Sequence, residues 1–447
     1  MKKLGFLVVT VVILFTACPN LAKTPDAEQP PAAGSFDTRF GTNGKVVTDY
    51  TYWDAGNSEW YSADMQINAM VLQADGKIVV GGYAITDGKH FMLARYNTYG
   101  RLDTSFGTNG FAVTKFGTDP DYSDAEINAL AIQPDGKIIA VGSVLLSEGW
   151  HVAVTRYTSD GQLDTGFGKS GTFTNLIGGS EGDYAYGIAL QSGGKIVLAG
   201  STTNGALLIR LTDSGELDTA FEGGGIVTIS ISGASSTYFN SLAIDNAGKI
   251  VAFGCTSEGD TPKFLLVRCN PDGALDTTFS TDGIVTTEFT DIAPDARALS
   301  LGADGKIILA GSGKKWVADD TGGTYCVLAH YLADDGTLDF SFKSTGKASE
   351  RFSDKLNEIK VFGVTVQPDD KVIMCGLLMN KYFLVRFNAD GTMDTSFGSN
   401  GFVNFPESAK SALKAIVIQP DNKIIAAGYE YNSTSRTDDF VLFRLWP

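Results

Sequence analysis

The sequence predicts an all-β fold, a seven-bladed β-propeller with four antiparallel strands in each blade. A hairpin pattern, seen as AIQPDGKIIAVG from Ala131, recurs seven times, and the central lysines of successive copies are 52 to 65 residues apart. A period of this size is typical of repeat architectures such as solenoids and propellers. The second strand of each hairpin is apolar at successive positions, so both of its faces must be covered. Sheets that pack face to face around an axis meet this requirement, which favours the propeller.

The N-terminal stretch, residues 1–18, is interpreted as a targeting segment. Lys2 and Lys3 precede an apolar run, Leu4 to Phe15, that is too short to span a bilayer. The run ends in Phe15-Thr16-Ala17-Cys18, which resembles the processing box of bacterial lipoproteins. The resemblance implies that Cys18 is lipidated, and an ordinary secretory signal peptide is the alternative.

The next segment, residues 19–34, is rich in proline and alanine and has no apolar period, so we expect a flexible tether. Residues 35–447 are expected to form the propeller. Pro19 occupies the position at which an aspartate would indicate inner-membrane retention. An outer-membrane or surface location in the bacterial cell envelope is therefore favoured, and without the anchor the protein would be secreted.

Each repeat contains four apolar runs of strand length, named A to D in chain order. In the second unit they are Ile127–Gln133, Lys137–Ser143, His151–Tyr157 and Thr172–Asn175. Pro-Asp-Gly between A and B predicts a tight hairpin turn. Strand A carries a small residue at its second position in all seven copies, which indicates the crowded innermost strand. The position before it should then line the central channel, with Asn68, Asn128, Tyr186, Asn240, Arg297, Phe362 and Lys414.

The closure of the ring is predicted from a second motif, RLDTSFGTNG from Arg101, which follows strand C. Its seventh copy, SFDTRFGTNG from Ser35, lies at the start of the predicted propeller, and the last unit ends after its strand C, Asp439–Leu445. We therefore expect the N-terminal strand Lys45–Tyr50 to join the C-terminal blade as its outer strand. A ring closed by its own two ends has no open blade edge.

The two motifs together resemble the repeats of the delta-60 family of bacterial β-propellers. The resemblance covers Ser35 to Trp446. It implies a propeller fold on a secreted or surface protein, and it implies no particular activity.

The aspartates of the second motif are predicted to form structural ion pairs. An arginine precedes its aspartate by eight residues in five units, and ring closure would add a sixth pair. The aspartates should also cap the following turn by accepting backbone N–H groups, while symmetric metal sites are the less favoured alternative. His330 replaces arginine in the fifth unit. The six predicted pairs are Arg95–Asp103, Arg156–Asp164, Arg210–Asp218, Arg268–Asp276, Arg386–Asp394 and Arg444–Asp37.

Composition excludes some classes of function and leaves one weak metal candidate. A formal net charge of −16 disfavours nucleic acid, and 3 histidines are too few to suggest an imidazole-based metal centre. No cofactor is expected, except that an acidic cluster could hold Ca²⁺ through hard oxygen ligands. A plain acidic surface loop is the alternative for that cluster, which consists of Asp119, Asp121, Asp124 and Glu126.

Binding is predicted on the face that differs between blades. In a four-stranded blade the B–C and D–A connections emerge on one face, called here the variable face, and the repeated turns on the other. Exposed aromatic residues in loops are typical of surfaces that bind protein or carbohydrate. Rings that pack over the blade ends are the alternative. The candidates are Trp53, Trp60, Tyr61, Tyr122, Trp150, Tyr184 and Trp316.

These observations predict a non-catalytic binding scaffold of the cell envelope, which presents the variable face to a protein or glycan partner. A propeller hydrolase or lyase acting on glycans is one alternative, and a purely structural envelope module is another. The protein is expected to be a monomer that contacts the membrane only through its lipid anchor.

Overall fold

The apolar hairpins fold as antiparallel sheets, and a computed structural model of the protein shows them as a seven-bladed β-propeller. The structure describes residues 31–54, 57–117, 124–179, 182–259, 261–302, 304–315, 323–351, 359–406 and 410–447. Two short 3-10 segments, Ser192–Gly194 and Glu222–Gly224, are the helical turns within these ranges. The same ranges contain no helix that is long and apolar enough to cross a bilayer.

The N-terminal strand and the first four blades follow in chain order. Strand β1 is Lys45–Thr48, and a separate hairpin consists of β2 (Thr51–Asp54) and β3 (Glu59–Ser62). Blade one has β4 (Asp64–Leu72), β5 (Ile78–Ile85), β6 (Lys89–Tyr96) and β7 (Phe111–Thr114), and blade two has β8 (Ala125–Ile132), β9 (Ile138–Leu146), β10 (Gly149–Tyr157) and β11 (Thr172–Asn175). Blade three has β12 (Tyr184–Leu190), β13 (Ile196–Thr202), β14 (Gly205–Leu211) and β15 (Ile226–Ile229), and blade four has β16 (Ser236–Ile244), β17 (Ile250–Glu258), β18 (Thr261–Cys269) and β19 (Ile284–Thr287).

The last three blades show how the pattern varies. Blade five has β20 (Ile292–Leu301), β21 (Ile307–Lys315), β22 (Thr324–Tyr331) and β23 (Lys347–Arg351). Blade six has β24 (Ile359–Val366), β25 (Val372–Leu378) and β26 (Lys381–Phe387), and its fourth segment is reduced to a bridge between Phe402 and Val385. Blade seven has β27 (Ser411–Ile418), β28 (Ile424–Asn432) and β29 (Thr437–Leu445).

The N-terminal strand closes the ring as predicted. Strand β1 pairs antiparallel with β29, with Lys45 opposite Phe443 and Thr48 opposite Phe440. The paired segment is shorter than the predicted Lys45–Tyr50, because Tyr50 packs edge-on against Phe111 of blade one at 5.0 Å between ring centroids.

The contacts of the ring begin at Ala33, two residues before the predicted start at Ser35. Gly34 donates to the Trp446 carbonyl at 2.9 Å, and Gly398 of blade six donates to the Ala33 carbonyl at 2.9 Å.

The hydrophobic core lies between the blades. Buried residues form seven clusters, one in each space between neighbouring blades. The second strand of a blade contributes to the clusters on both of its sides, as in β9, where residues 138–144 are all buried and the apolar side chains alternate between two clusters. This agrees with the prediction that both faces of the central strands are covered.

Every innermost strand contains a β-bulge, at the residue that the sequence places on the channel. In blade two the register shifts between Ile127 and Ala129, which leaves Asn128 without a partner in the ladder. A bulge re-aims the side chain of its extra residue. The seven bulged residues are Asn68, Asn128, Tyr186, Asn240, Arg297, Phe362 and Lys414.

The glycine that ends each hairpin repeat makes the bulge possible. Gly142 pairs with Ile127, the residue just before the bulge, and an added Cβ at Gly142 would lie 1.8 Å from the Glu126 carbonyl oxygen. At the same position of all seven blades this distance is between 1.7 and 2.2 Å. Only glycine therefore fits beneath the bulge.

Candidate functional site

The repeated turns bring each arginine to the aspartate with which it was predicted to pair. The first five distances join arginine Nε to aspartate Oδ2, and the last joins Nη2 to Oδ2. They are 2.9 Å for Arg95–Asp103, 2.8 Å for Arg156–Asp164, 2.8 Å for Arg210–Asp218, 2.6 Å for Arg268–Asp276, 2.8 Å for Arg386–Asp394 and 3.0 Å for Arg444–Asp37. In all six pairs the arginine side chain is buried.

Each pair is part of a larger motif that the sequence analysis missed in two respects. The hairpin lysine also reaches the aspartate, at 2.7 to 4.0 Å across the seven blades. The guanidinium stacks on the motif phenylalanine at 4.2 to 4.8 Å. Arg95 further donates to the Ser159 carbonyl of blade two at 2.6 Å, so the motif joins neighbouring blades.

The fifth blade shows what remains when arginine is replaced. The His330 ring stacks on Phe342 with 3.6 Å between centroids, and Lys306 supplies the cation at 3.2 Å from Asp339 Oδ2. Burial lowers the pKa of His330 to about 4, so the imidazole is neutral at pH 7. Blade five therefore keeps the stacking on the motif phenylalanine, but it has one positive charge fewer beside the motif aspartate.

The motif aspartates are ionised and fully engaged. The Ser105 hydroxyl and backbone N–H, with the Arg95 and Lys77 charges, lower the pKa of Asp103 to about 2 against the opposing effect of burial. Their second oxygen accepts the backbone N–H two residues on, as Asp164 does from Gly166 at 3.1 Å. These contacts therefore have a structural role, because they hold each repeated turn in place. Since they are alike in the blades, the repeated-turn face presents nearly the same surface to a partner in each of them.

On the variable face, the first aromatic group is the hairpin of β2 and β3. Trp53 and Trp60 are cross-strand neighbours with ring centroids 5.7 Å apart, and they are 50% and 67% exposed. Tyr61 is 37% exposed, while the Tyr52 hydroxyl donates to the Thr86 carbonyl of blade one at 3.3 Å. Tyr52, the cross-strand neighbour of Tyr61, therefore holds the hairpin against blade one. The Trp53–Trp60 pair is exposed to solvent.

The hairpin forms one end of a groove of about 910 Å³. The groove runs along the outer strand β7 from Trp53 and Trp60 to the repeated turns near Asn109 and Gln162. Asp49 and Lys115 place one charge of each sign along it. The groove is thus a concave surface that combines these two charges with the exposed tryptophan rings.

The second aromatic group leads from the variable face to the axis. The Trp150 ring lies 5.6 Å from Tyr184, and Tyr184 stacks on Tyr186 at 6.0 Å with an interplanar angle of 4°. Tyr186 is the bulged residue of blade three. The aromatic candidates that the structure describes on the variable face therefore form two separate groups, one at the groove and one that leads to the channel.

At the axis, three of the seven bulged residues are asparagines with a structural task. Asn68 donates to the Ile127 carbonyl of blade two at 3.0 Å, and Asn128 donates to the Ala185 carbonyl of blade three at 2.9 Å. Asn240 donates in the same way to Ala296 of blade five at 2.5 Å. In each case the acceptor is the residue just before the next bulge, so the amide ties neighbouring inner strands together.

Blades five to seven carry a different set at this position. Lys414 Nζ lies 3.7 Å from the centroid of the Phe362 ring, and the Arg297 guanidinium lies 5.9 Å from it. Arg297 also pairs with Asp295 at 2.6 Å. Burial, followed by the charge of Arg297, lowers the pKa of Lys414 to about 8.

Several predicted residues lie outside the described ranges, namely Cys18, Tyr122, Trp316, Asp119 and Asp121. Of the acidic cluster, Asp124 is exposed and Glu126 forms an ion pair with Lys89. Within the described ranges no group of three or more histidine, cysteine, aspartate or glutamate side chains is placed to hold a metal ion. The four cysteines in these ranges, Cys255, Cys269, Cys326 and Cys375, are buried free thiols.

Comparison with protein families supports the reading of the repeats. Six segments match a family model described as "Domain of unknown function (DUF5122) beta-propeller", at residues 73–106, 133–167, 191–221, 248–279, 367–397 and 419–447. The repeats are therefore similar to those of a β-propeller family. The first five matched segments each end at the phenylalanine on which the repeat arginine stacks. The bulged residues all lie outside the matched segments, so the match concerns the ion-pair motifs and not the channel.

Solved structures resemble this chain in fold. A protein of unknown function from Dyadobacter fermentans has 11% identity and a TM-score of 0.47, over 90% of this chain and 99% of its own. An α-L-arabinanase from Penicillium chrysogenum has 9% identity and a TM-score of 0.48, over 90% and 97%. The polysaccharide lyase Uly1 has 10% identity and a TM-score of 0.48, over 85% and 89%. No curated protein matches the sequence.

Proposed function

We propose that this protein is a binding scaffold of the bacterial cell envelope, without chemistry of its own, which holds a protein or glycan partner in the groove beside Trp53 and Trp60. The observation that carries the proposal is the exposure of two adjacent tryptophan rings at the end of a concave surface. A few large aromatic anchors supply most of the binding energy of a typical interface. Binding is preferred to catalysis because the seven channel positions include no carboxylate, histidine or cysteine.

Replacement of the tryptophan pair tests this proposal. We expect the double variant Trp53→Ala, Trp60→Ala to lose capture of its envelope partner or glycan by at least about tenfold, since each anchor contributes roughly 2 kcal/mol or more. The measurement is retention of purified envelope components and of a polysaccharide panel on the immobilised protein. The melting temperature should stay unchanged because both rings are exposed.

The matched controls are Lys169→Ala and Lys343→Ala, which change the repeated-turn face and should not affect capture. If these lysine variants weakened capture and the tryptophan variant did not, the partner would bind the opposite face. Turnover of any polysaccharide in the panel would contradict the non-catalytic scaffold and would favour a glycan hydrolase or lyase.

The proposed envelope location depends on Cys18, which precedes the tether. We expect Cys18→Ser to move the protein from the membrane fraction to the soluble fraction, because serine cannot accept the thioether-linked lipid. Fractionation of cells, followed by immunoblotting, is the measurement. A variant that stayed in the membrane fraction would contradict the anchor, and Cys255→Ser, in a strand of blade four, is the control.

A further inference from the structure

The bulged position of the inner strand has a structural role in three blades and lacks it in three others. The asparagines of blades one, two and four each donate to the inner strand of the next blade. Blades five, six and seven replace them with Arg297, Phe362 and Lys414, none of which can reproduce that amide bridge. When a repeat gives up a residue that stabilises it locally, as these blades give up asparagine, a functional requirement at that position is the expected reason.

These departures place two cations on one aromatic ring in a protein whose net charge is −16. Arg297 is partly neutralised by Asp295 at 2.6 Å. Lys414 has no carboxylate within 4.0 Å among the residues that the structure describes. The nearby Glu126 is already paired with Lys89.

A largely buried ammonium group without a counter-ion is costly, and an oxyanion that pairs with it removes that cost. The lowered pKa of Lys414 has the same physical origin, because burial and the charge of Arg297 both disfavour its protonated form. A bound anion would supply the missing negative charge between the two side chains.

We propose that the axial channel binds an anionic ligand through Lys414 and Arg297, and that the ligand is a sugar ring bearing a carboxylate or phosphate group. In a seven-membered ring, blade three lies across the axis from blades six and seven, and the bulged residue of its inner strand is Tyr186. The stacked pair of Tyr184 and Tyr186 offers a flat aromatic surface for a ring. This goes beyond the proposed scaffold, because the channel is separate from the groove beside Trp53 and Trp60.

The test compares three probes that share the same type of sugar ring by isothermal titration calorimetry at low salt: glucuronate, glucose 6-phosphate and glucose. We expect saturable binding of glucuronate, glucose 6-phosphate or both, and none of glucose. Binding of only one anion identifies the oxyanion that the channel accepts. Absence of binding by both anions, or equal binding of glucose, overturns the proposal.

The decisive variants are Lys414→Asn and Arg297→Asn, which restore the residue found in blades one, two and four. Each should weaken anion binding at least about tenfold, because a charge-assisted contact is lost. Each should also keep or raise the melting temperature, since the new amide can donate to Ile67 or Val361 of the next blade, as Asn68 does to Ile127. Lys169→Asn on the repeated-turn face is the control and should bind as the unchanged protein does.

Anion binding that persists unchanged in both asparagine variants would overturn the proposal. The variant Trp53→Ala, Trp60→Ala should leave anion binding intact. Failure of the channel site and failure of the groove are therefore distinguishable in the same set of experiments.

Discussion

A variant that begins at Thr51, and so lacks β1 and the segment before it, is expected to lose cooperative unfolding. The missing residues include Phe40, which is fully buried between blades seven and one, and Val46, which packs against the same cluster. Burial of the Phe40 side chain alone contributes roughly 1.5 to 3 kcal/mol, and the partly buried Val46 adds to this, a substantial part of the stability of a typical domain. The buried Arg444 would also lose Asp37, and β29 would become an open edge.

Thermal unfolding followed by circular dichroism measures this effect, together with dye binding to exposed apolar surface. The matched control begins at Ala32, because it lacks the segment before the ring and keeps the contacts of Ala33 and Gly34. We expect the control to melt cooperatively. Equal melting temperatures for the two truncations would show that β1 does not close the ring.

The second large effect is expected for Gly82→Ala in blade one. An added Cβ would lie 1.8 Å from the Gln66 carbonyl oxygen, and that oxygen belongs to the inner strand next to a bulge. These backbone atoms of β4 cannot move away without breaking the ladder, so we expect a loss of about 3 kcal/mol in the free energy of unfolding. Urea denaturation of the two proteins measures the difference.

The neighbouring glycine provides the control for this prediction. At Gly81 the nearest atoms to an added Cβ are side-chain methyl groups of Leu130 and Leu93 at 3.0 Å, which can adjust. Other blades carry alanine at this position, as at Ala199. Gly81→Ala should therefore change stability by less than about 1 kcal/mol. If the alanine variants at Gly81 and Gly82 lost equal amounts of unfolding free energy, the bulge would not be the reason that glycine is required at position 82.

The architecture could be predicted from the sequence because the same strand pattern is present in seven copies. The period, the apolar central strands and the displaced copy at Ser35 together led to the blade number and to the closing strand. Individual boundaries shifted where a side chain has a local partner, as Tyr50 does on Phe111. In blade six, Pro406 lacks a backbone donor and follows closely on the shortened outer segment at Phe402.

The parts that the sequence did not reveal depend on register between strands. Lys77 and Asp103 are far apart in the chain, and only the fold brings Nζ to within 3.3 Å of the carboxylate. Likewise, the glycine at the end of each hairpin is visible in the sequence, but its opposition to a bulge is not. The groove was missed because the β2–β3 hairpin was interpreted as an irregular loop, although Trp53 and Trp60 alternate with tyrosines as strand residues do.

The point at which the chain enters the ring has a consequence for its orientation at a membrane. Ala33 joins the propeller beside Gly398, in a C–D turn, and therefore on the repeated-turn face. The chain between Cys18 and Ala33, which the sequence predicts to be a tether, can span at most about 50 Å. An anchor at Cys18 would thus attach the propeller to the lipid surface through its repeated-turn face. The tryptophan hairpin and the end of the channel on the variable face would then lie on the side of the propeller opposite the point of attachment.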